Sequence, residues 1–430
     1  MSRQIEVWAD WKERGSPTLM GHLRCSLTRG KEVFSFTYED AWLASTGARQ
    51  LDPDLKLYGG PQYLNSGERP NFGLFLDSSP DRWGRLLMQR REAALAREAN
   101  RPAHRLQETD YLLGVHDEQR SGALRFKERE TGDAWLNDEG SMRTPPWALL
   151  RELEHASWKI QDDSSNDDPH YLEWLNLLIA PGSSIGGARP KAGVRDAQGD
   201  LWIAKFPGRA DNRDMAAWEM LVHQLAIKAG LQVADAGLHQ FGDGHRTFMT
   251  HRFDRVPGTN GMQRIHFASA MTLLGLADGA DHLAGASYLE LVEFLTRQGA
   301  QPNSDLEELW RRIVFSIAVH NTDDHLRNHG FLLTEGGWIL SPAYDLNPDP
   351  DGAGLSLNIS ETDNALSFVL ALEVAPFFRL KPQTAESILQ QTKEAVEAWK
   401  EHANALGIPR AEQEIMAAAF QAVEGWINYG

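Results

Sequence analysis

A single cysteine, Cys25, stands in 430 residues. It excludes an internal disulfide and fits a reducing compartment. No run of 18 uncharged apolar residues occurs, so no segment is expected to span a bilayer and no membrane partner is expected. The opening MSRQIEVWADWKERG lacks the apolar core of a secretory signal, which predicts a cytoplasmic protein. Positive charge is scarce. Lys and Arg number 43 against 60 Asp and Glu, a net −17, so the surface as a whole is unsuited to a phosphate backbone. What is present is a large potential core, with 42% hydrophobic residues and 14 Trp. The length predicts two or three packed units rather than one.

Three segments are expected. Residues 1–126 begin with strands: QIEVWADW alternates, and HLRCSL and EVFSFTYE flank the turn TRGK as in a hairpin. The stretch SPDRWGRLLMQRREAALAREA then reads as a helix capped by Ser79, with Pro80 in its first turn. Residues 127–255 hold a helix near TPPWALLRELEHASWKI, an acidic surface loop at 161–169, and a strand–strand–helix–strand–strand run. In that run Trp218, Leu221, Val222, Leu225, Ala226 and Ala229 repeat at helical spacing, and Gly230 is the stop. From about 256 to 430 the chain is expected to be helical, with Ser304 and Glu307 as a capping box before the stripe Leu306, Trp310, Ile313, Val314, Ile317. A β-containing part followed by a helical part, with polar groups at the join, predicts an α+β, two-lobed architecture.

The most informative stretch is NTDDHLRNHGFLLTEGGWILSPAYD, Asn321 to Asp345. Asp323, an Asn five positions on (Asn328), a hairpin-like insert and then Asp345 are spaced like the phosphoryl-transfer parts of kinases. One carboxylate addresses a hydroxyl. An amide and a second carboxylate then hold Mg2+, and a two-stranded excursion returns the last group to the ion. The alternative is a polar loop of Asx turns. Lys205, in the short strand GDLWIAKFPG, suits a phosphate-holding lysine, with Glu219 on the following helix as its brace. An isolated lysine of this kind is otherwise an edge-strand residue reaching for water. SSIGGARPKAG, 183–193, precedes that strand and suits backbone amides approaching phosphate, though it is neither a GxGxxG loop nor a Walker A motif. Two other metal readings exist. His325 and His329 lie four apart but in HLRNH rather than HExxH, and NPDPDG opens like an EF-hand loop but carries Asn358 where the closing Glu belongs.

Taken in order, these pieces resemble the HipA family of serine/threonine-kinase toxins. SPDRWGRLL and DEQRSGALRF resemble its N-terminal segment, SSIGGARPK its glycine-containing loop and WIAKFP its lysine strand. THRFDR resembles its hinge, NTDDHLRNHGF its catalytic loop, and SPAYD its metal-binding aspartate. The resemblance implies a protein-kinase-like HipA fold, an α/β N-terminal part and an all-helical C-terminal part. It makes Asp323 the catalytic base and Asn328 and Asp345 the Mg2+ ligands. It assigns ATP to Ser184, Ile185, Gly186, Gly187, Ala188, Arg189 and Lys191 of the loop, to Lys205 and Glu219, to His251 and Phe253 at the hinge, and to His325 and Arg327. Autophosphorylation is implied at Ser184, or at the adjacent Ser183. A translation-related protein substrate such as an aminoacyl-tRNA synthetase is implied too, as is a small DNA-binding antitoxin of the HipB type, with DNA reached only through it. The alternatives are a nucleotide-sensing co-repressor and a divalent-metal hydrolase built on the histidines.

Overall fold

The computed structural model describes residues 2–64, 67–128, 134–138, 144–179, 187–242, 244–259 and 261–426. The chain folds into two compact units. One is Met1–Ala210 with Asp254–Ala268, the other Asp211–Phe253 with Ser269–Gly430. Both mix helix and sheet, so the fold is α+β, but the C-terminal part is not all-helical: Phe267–Ser269, Gly330–Thr334 and Gly337–Leu340 form a three-stranded sheet there.

The first unit is built on an antiparallel five-stranded sheet. Its order is Gln62–Tyr63, Lys31–Tyr38, Thr18–Thr28, Ser2–Ala9, Leu124–Glu128. Alternation makes the sheet amphipathic: Ile5, Val7 and Ala9 are fully buried while their neighbours reach solvent. The hairpin at TRGK closes on the pair Thr28–Lys31. Arg29 and Gly30 take φ of 51° and 77°, the left-handed pair that a two-residue turn needs to match strand twist. Phe36, Phe75 and Phe126 fill the inner face with centroid separations of 5.7 and 6.2 Å.

The helix Arg82–Glu98 follows, and its cap is Asp81 rather than Ser79. The Asp81 carboxylate accepts from Gly84 N at 2.8 Å. Ser79 instead donates to Phe75 O at 2.8 Å, back into the preceding short helix. Helices Leu150–Ile160 and Tyr171–Ile179 come next, then a hairpin of Lys191–Arg195 and Leu201–Lys205.

Residues just after 254 depart from the helical expectation. Arg255–Gly258 and Gly261–Arg264 pair as a hairpin, and residues 254–268 fold with the first unit. The cause is buried charge. Asp254, wholly inaccessible, accepts from Gly122 N at 2.9 Å and from Arg255 Nη1 at 2.8 Å. Arg255 also donates to the carbonyls of Gly122, Glu118 and Arg120 at 3.0, 3.1 and 2.7 Å. Arg264 meets Asp117 at 2.7 Å. These partners all lie in 117–122, so the segment cannot leave without stranding a carboxylate and several carbonyls.

The second unit begins with helix Met215–Lys228, stopped at Gly230, whose φ is 81°, and a hairpin of Ala236–His239 and Thr247–His251. Helix Pro302–Ala318 starts one turn before the expected capping box. Pro302 occupies the first helical position, so Ser304 lies inside the helix. Its stripe of Leu306, Leu309, Trp310, Ile313, Val314 and Ile317 is fully buried. The C-terminal helices include Pro382–Glu397 and Trp399–Ala405, the latter stopped at Gly407, with φ of 67°. Trp399 stacks on Phe420 at 4.5 Å. Among the described residues no helix is long and apolar enough to cross a membrane.

Replacing Arg255 with Met should cost about 3–5 kcal/mol, because it removes the Arg255 guanidinium from the buried Asp254 carboxylate and from three carbonyls. Urea unfolding of the variant checks this. A loss below ~1 kcal/mol would mean that the pair is not what ties the segment down.

Candidate active site

Helix Pro302–Ala318 delivers the chain into the Asn321 loop through His320, which sits in the left-handed region at φ 48°. The loop is pinned from several sides. Asn321 Nδ2 donates to Ser316 Oγ at 3.2 Å, and its Oδ1 accepts from Asn347 N at 3.1 Å. Thr322 Oγ1 donates to Asp349 Oδ2 at 2.9 Å. Ser356 Oγ donates to Thr322 O at 2.8 Å.

The adjacent carboxylates then face opposite ways. Asp324 is buried, and its Oδ1 accepts from Ser356 N at 3.0 Å. Burial holds its carboxyl well above the ordinary carboxylate range, because the peptide N–H groups of Ser356 and of Asp324 itself do not replace the water it lost. The Asp323 side chain, by contrast, is 81% exposed. Asn328, on the one-turn helix Leu326–Asn328, donates Nδ2 to Asp323 O at 2.7 Å. This fixes the amide so that its oxygen is the group turned away from that carbonyl. His325 Nε2 lies 3.9 Å from Asp323 Oδ1.

The insert expected after the loop is present. Gly330–Thr334 pairs antiparallel with Gly337–Leu340, with Thr334 opposite Gly337. A few residues later Asp345 takes φ 58°, a strained backbone for a non-glycine residue and one that clusters at functional sites. Asp345 Oδ1 accepts from Asn347 Nδ2 at 3.2 Å. Tyr344 donates its hydroxyl to Arg327 O at 2.6 Å, and its ring lies 5.6 Å from that of Phe253. Arg327 Nη1 lies 3.8 Å from Asp278 Oδ1. His251 ends its strand and donates its backbone N–H to Asp235 O at 2.8 Å. Glu219 is buried on Met215–Lys228.

The remaining sequence candidates belong to the first unit. Ser183, Ser184, Ile185 and Gly186 lie outside the described residues. Gly187, Ala188 and Arg189 lead to Lys191, whose side chain departs from the expected ligand contact. It is 3% exposed, and Nζ donates to Asp81 Oδ2 at 2.9 Å and to Gly187 O at 3.1 Å. An ammonium buried so deeply must meet a carboxylate. Lys205 ends its strand directly opposite Lys191.

The zinc reading of HLRNH loses its geometry. The histidines flank a one-turn helix rather than riding one face of a long one, and His329 is buried with Nε2 against Asp324 O at 3.2 Å. Burial holds His329 at about 3, so it stays neutral. Among the described residues no three His, Cys, Asp or Glu side chains cluster to hold a metal.

Sequence reasoning gave no role to Tyr344, Asn321 or Asn347, and weighed Asp324 only as a metal ligand beside the histidines. The available signal for Asp324 was the doubled acid in TDDH, because of two neighbouring carboxylates one gains by being neutral.

The fold is a mixed helix-and-sheet one of HipA type. A structure of HipA from Shewanella oneidensis, solved in a complex with HipB and operator DNA, superposes with a TM-score of 0.67 at 17% identity, covering 97% of this chain and 95% of that one. The family model for the HipA-like C-terminal domain matches residues 183–399, and the chain belongs to that family. Among curated relatives, the serine/threonine-protein kinase toxin HipA of Shewanella oneidensis is 24% identical over 225 residues, 47% of this chain and 52% of that protein. A putative kinase of Haemophilus influenzae is 27% identical over 188 residues, 40% of this chain and 54% of that protein. The chain thus spans about half the length of the curated relatives it matches.

Asp324→Asn should flatten a pH dependence. The folded state keeps a proton that the unfolded chain releases, so stability falls as pH rises from the ordinary carboxylate range to the raised folded value. The amide keeps an acceptor for Ser356 N and carries no charge. Thermal melts at several pH values should show wild type losing stability through that interval and Asp324→Asn losing less. Equal slopes would refute the burial argument.

Proposed function

We propose that the protein is an ATP- and Mg2+-dependent protein serine/threonine kinase acting as the toxin of a toxin–antitoxin module. The observation that carries this reading is the loop itself. An outward carboxylate, Asp323, has its backbone held by the Asn328 amide, and Asp345 follows a two-stranded insert.

Asp323 accepts a hydrogen bond from the acceptor hydroxyl, orients it in line and takes its proton as transfer proceeds. Its exposure suits a macromolecular substrate that must come to it. The Asn328 amide oxygen and the Asp345 carboxylate are hard oxygen donors that suit Mg2+, and the fixed orientation of the Asn328 amide fits that role. When bound, Mg2+ would neutralise charge on the nucleotide phosphates. Lys205 and the backbone of 184–191 hold the triphosphate, with Glu219 bracing the lysine. His251 and Phe253 offer backbone groups to adenine. His325 and Arg327 complete the loop's polar side, with Arg327 held through its carbonyl by Tyr344.

Regulation follows from charge. A phosphate on Ser184, or on Ser183, would add nearly two negative charges where the nucleotide's own phosphates belong. The related structure's HipB and operator DNA support a partner of that kind here. At −17, this chain needs a basic partner to reach DNA. An aminoacyl-tRNA synthetase or another translation protein is the proposed target.

Asp323→Asn should lower transfer from labelled ATP to lysate proteins and to itself by about 100-fold or more. Undiminished labelling would remove Asp323 from its role. Growth arrest on expression should vanish in Asp345→Ala. Arrest that persists unchanged would favour a nucleotide-sensing co-repressor over a kinase.

A further inference from the structure

Residues 82–105 of the first unit carry seven Arg and two Glu in a chain of net −17. Four of those arginines are ion-paired. Arg85 meets Glu108 at 2.6 Å, Arg90 meets Asp163 at 3.0 Å, Arg97 meets Asp167 at 3.4 Å and Arg101 meets Glu92 at 2.6 Å. Arg91 differs. Its Nε is buried and has no hydrogen-bond partner among the described residues. An ordinary surface arginine lays its stem on apolar groups and keeps its guanidinium in water. A guanidinium N–H taken out of water without an acceptor is costly, and such a group calls for an anion.

Arg91 lines a cavity of about 150 Å³. Met88, Leu95, Leu106 and Ile179 form its apolar wall. Gly114 makes room for the Met88 thioether, which a Cβ at that position would strike, so part of the wall is a flexible side chain that adapts to what it meets. Glu92 also lines the cavity, but its carboxylate is engaged elsewhere. It accepts from Arg101 Nη1 and Nη2 at 2.6 and 3.1 Å and from His104 N at 2.7 Å.

We propose that this cavity binds a small organic monocarboxylate, with its carboxylate on Arg91 and its hydrocarbon body against Met88, Leu95, Leu106 and Ile179. Three features select that class. The guanidinium fork matches a planar carboxylate. A dianion such as phosphate would face the Glu92 charge and an apolar wall that offers it no donor. Size bounds the body, because a cavity of about 150 Å³ takes a group about as large as benzene. No lining residue is a nucleophile beside a general base, so the ligand is held and released unchanged. None of these residues belongs to the kinase machinery, so the two readings fail separately.

Calorimetric titration of the full chain with isocaproate, its neutral isostere isocaproamide, acetate and inorganic phosphate tests the site. Isocaproate should saturate the wild type in the millimolar range or below, and the amide should bind about tenfold more weakly or worse. Acetate lacks the hydrocarbon body and phosphate lacks the fit, so neither should displace isocaproate. Arg91→Met keeps the apolar stem and removes the charge. It should fold, because Nε has no bond to lose, and should bind isocaproate about tenfold more weakly or worse. Should it fail to fold, Leu95→Phe fills the apolar half with Arg91 in place, and it should weaken binding as much. A wild type that does not saturate, equal binding of acid and amide, tighter binding of phosphate, or a folded variant that binds like wild type overturns the proposal.

Discussion

The hydrogen bond from Ser356 N to Asp324 decides which way the TDDH loop faces. It draws one of two adjacent carboxylates into the interior of the second unit, and the pitch of the backbone then turns its neighbour outward. Without that inward anchor, the Asn328 and His329 contacts to the two carbonyls would hold the backbone but not the carboxylate of Asp324. The other ties to Ser316, Asn347 and Asp349 fix the loop's ends. The Ser356 contact sets the orientation of the acid at its centre. A buried carboxyl held above its ordinary range opposes folding at neutral pH, so the geometry at Asp323 carries a cost in stability. That pattern is common where a site must hold a shape that packing alone would not choose.

The first unit applies a related rule to cations. Lys191, Arg255 and Arg120 are all buried, and each donates to backbone carbonyls, Lys191 and Arg255 to a carboxylate as well. Arg120 donates to Ser78 O, Leu112 O and Val115 O at 2.8, 2.8 and 3.0 Å, and burial pulls its guanidinium down to about 9. These side chains pin loops that have no regular structure of their own. They do so with directional bonds, which are expensive to break because every lost partner leaves a buried polar group unsatisfied.

Local pattern made much of this legible. The TRGK turn, the stripe of Pro302–Ala318, the glycine stops at 230 and 407 and the insert between Asn328 and Asp345 are all short-range features, and short-range features are what propensity and periodicity report. The errors share a different character. Ser79 and Asp81 are both good caps two residues apart, and only the burial of Asp81 against Lys191 separates them. Ser304 and Glu307 match a capping box, but Pro302 starts the helix a turn earlier. The hairpin after 254 is polar and short, and its reason for existing lies in Gly122 and Asp117, far away in sequence.

The case of Lys191 shows why the site itself was only partly readable. Its position in SSIGGARPKAG is what a phosphate ligand would occupy, and no local rule argues against that. The decisive partner, Asp81, is 110 residues distant and is already committed as a helix cap. A lysine's role depends on whether a counter-ion reaches it before a ligand does, and such pairings are set by tertiary structure alone. The same reasoning bears on Lys205, its cross-strand partner. One buried carboxylate serves one ammonium, and burial favours Lys191 for that carboxylate. Lys205 is only partly buried at the strand end, so the register sets two lysines side by side in different surroundings.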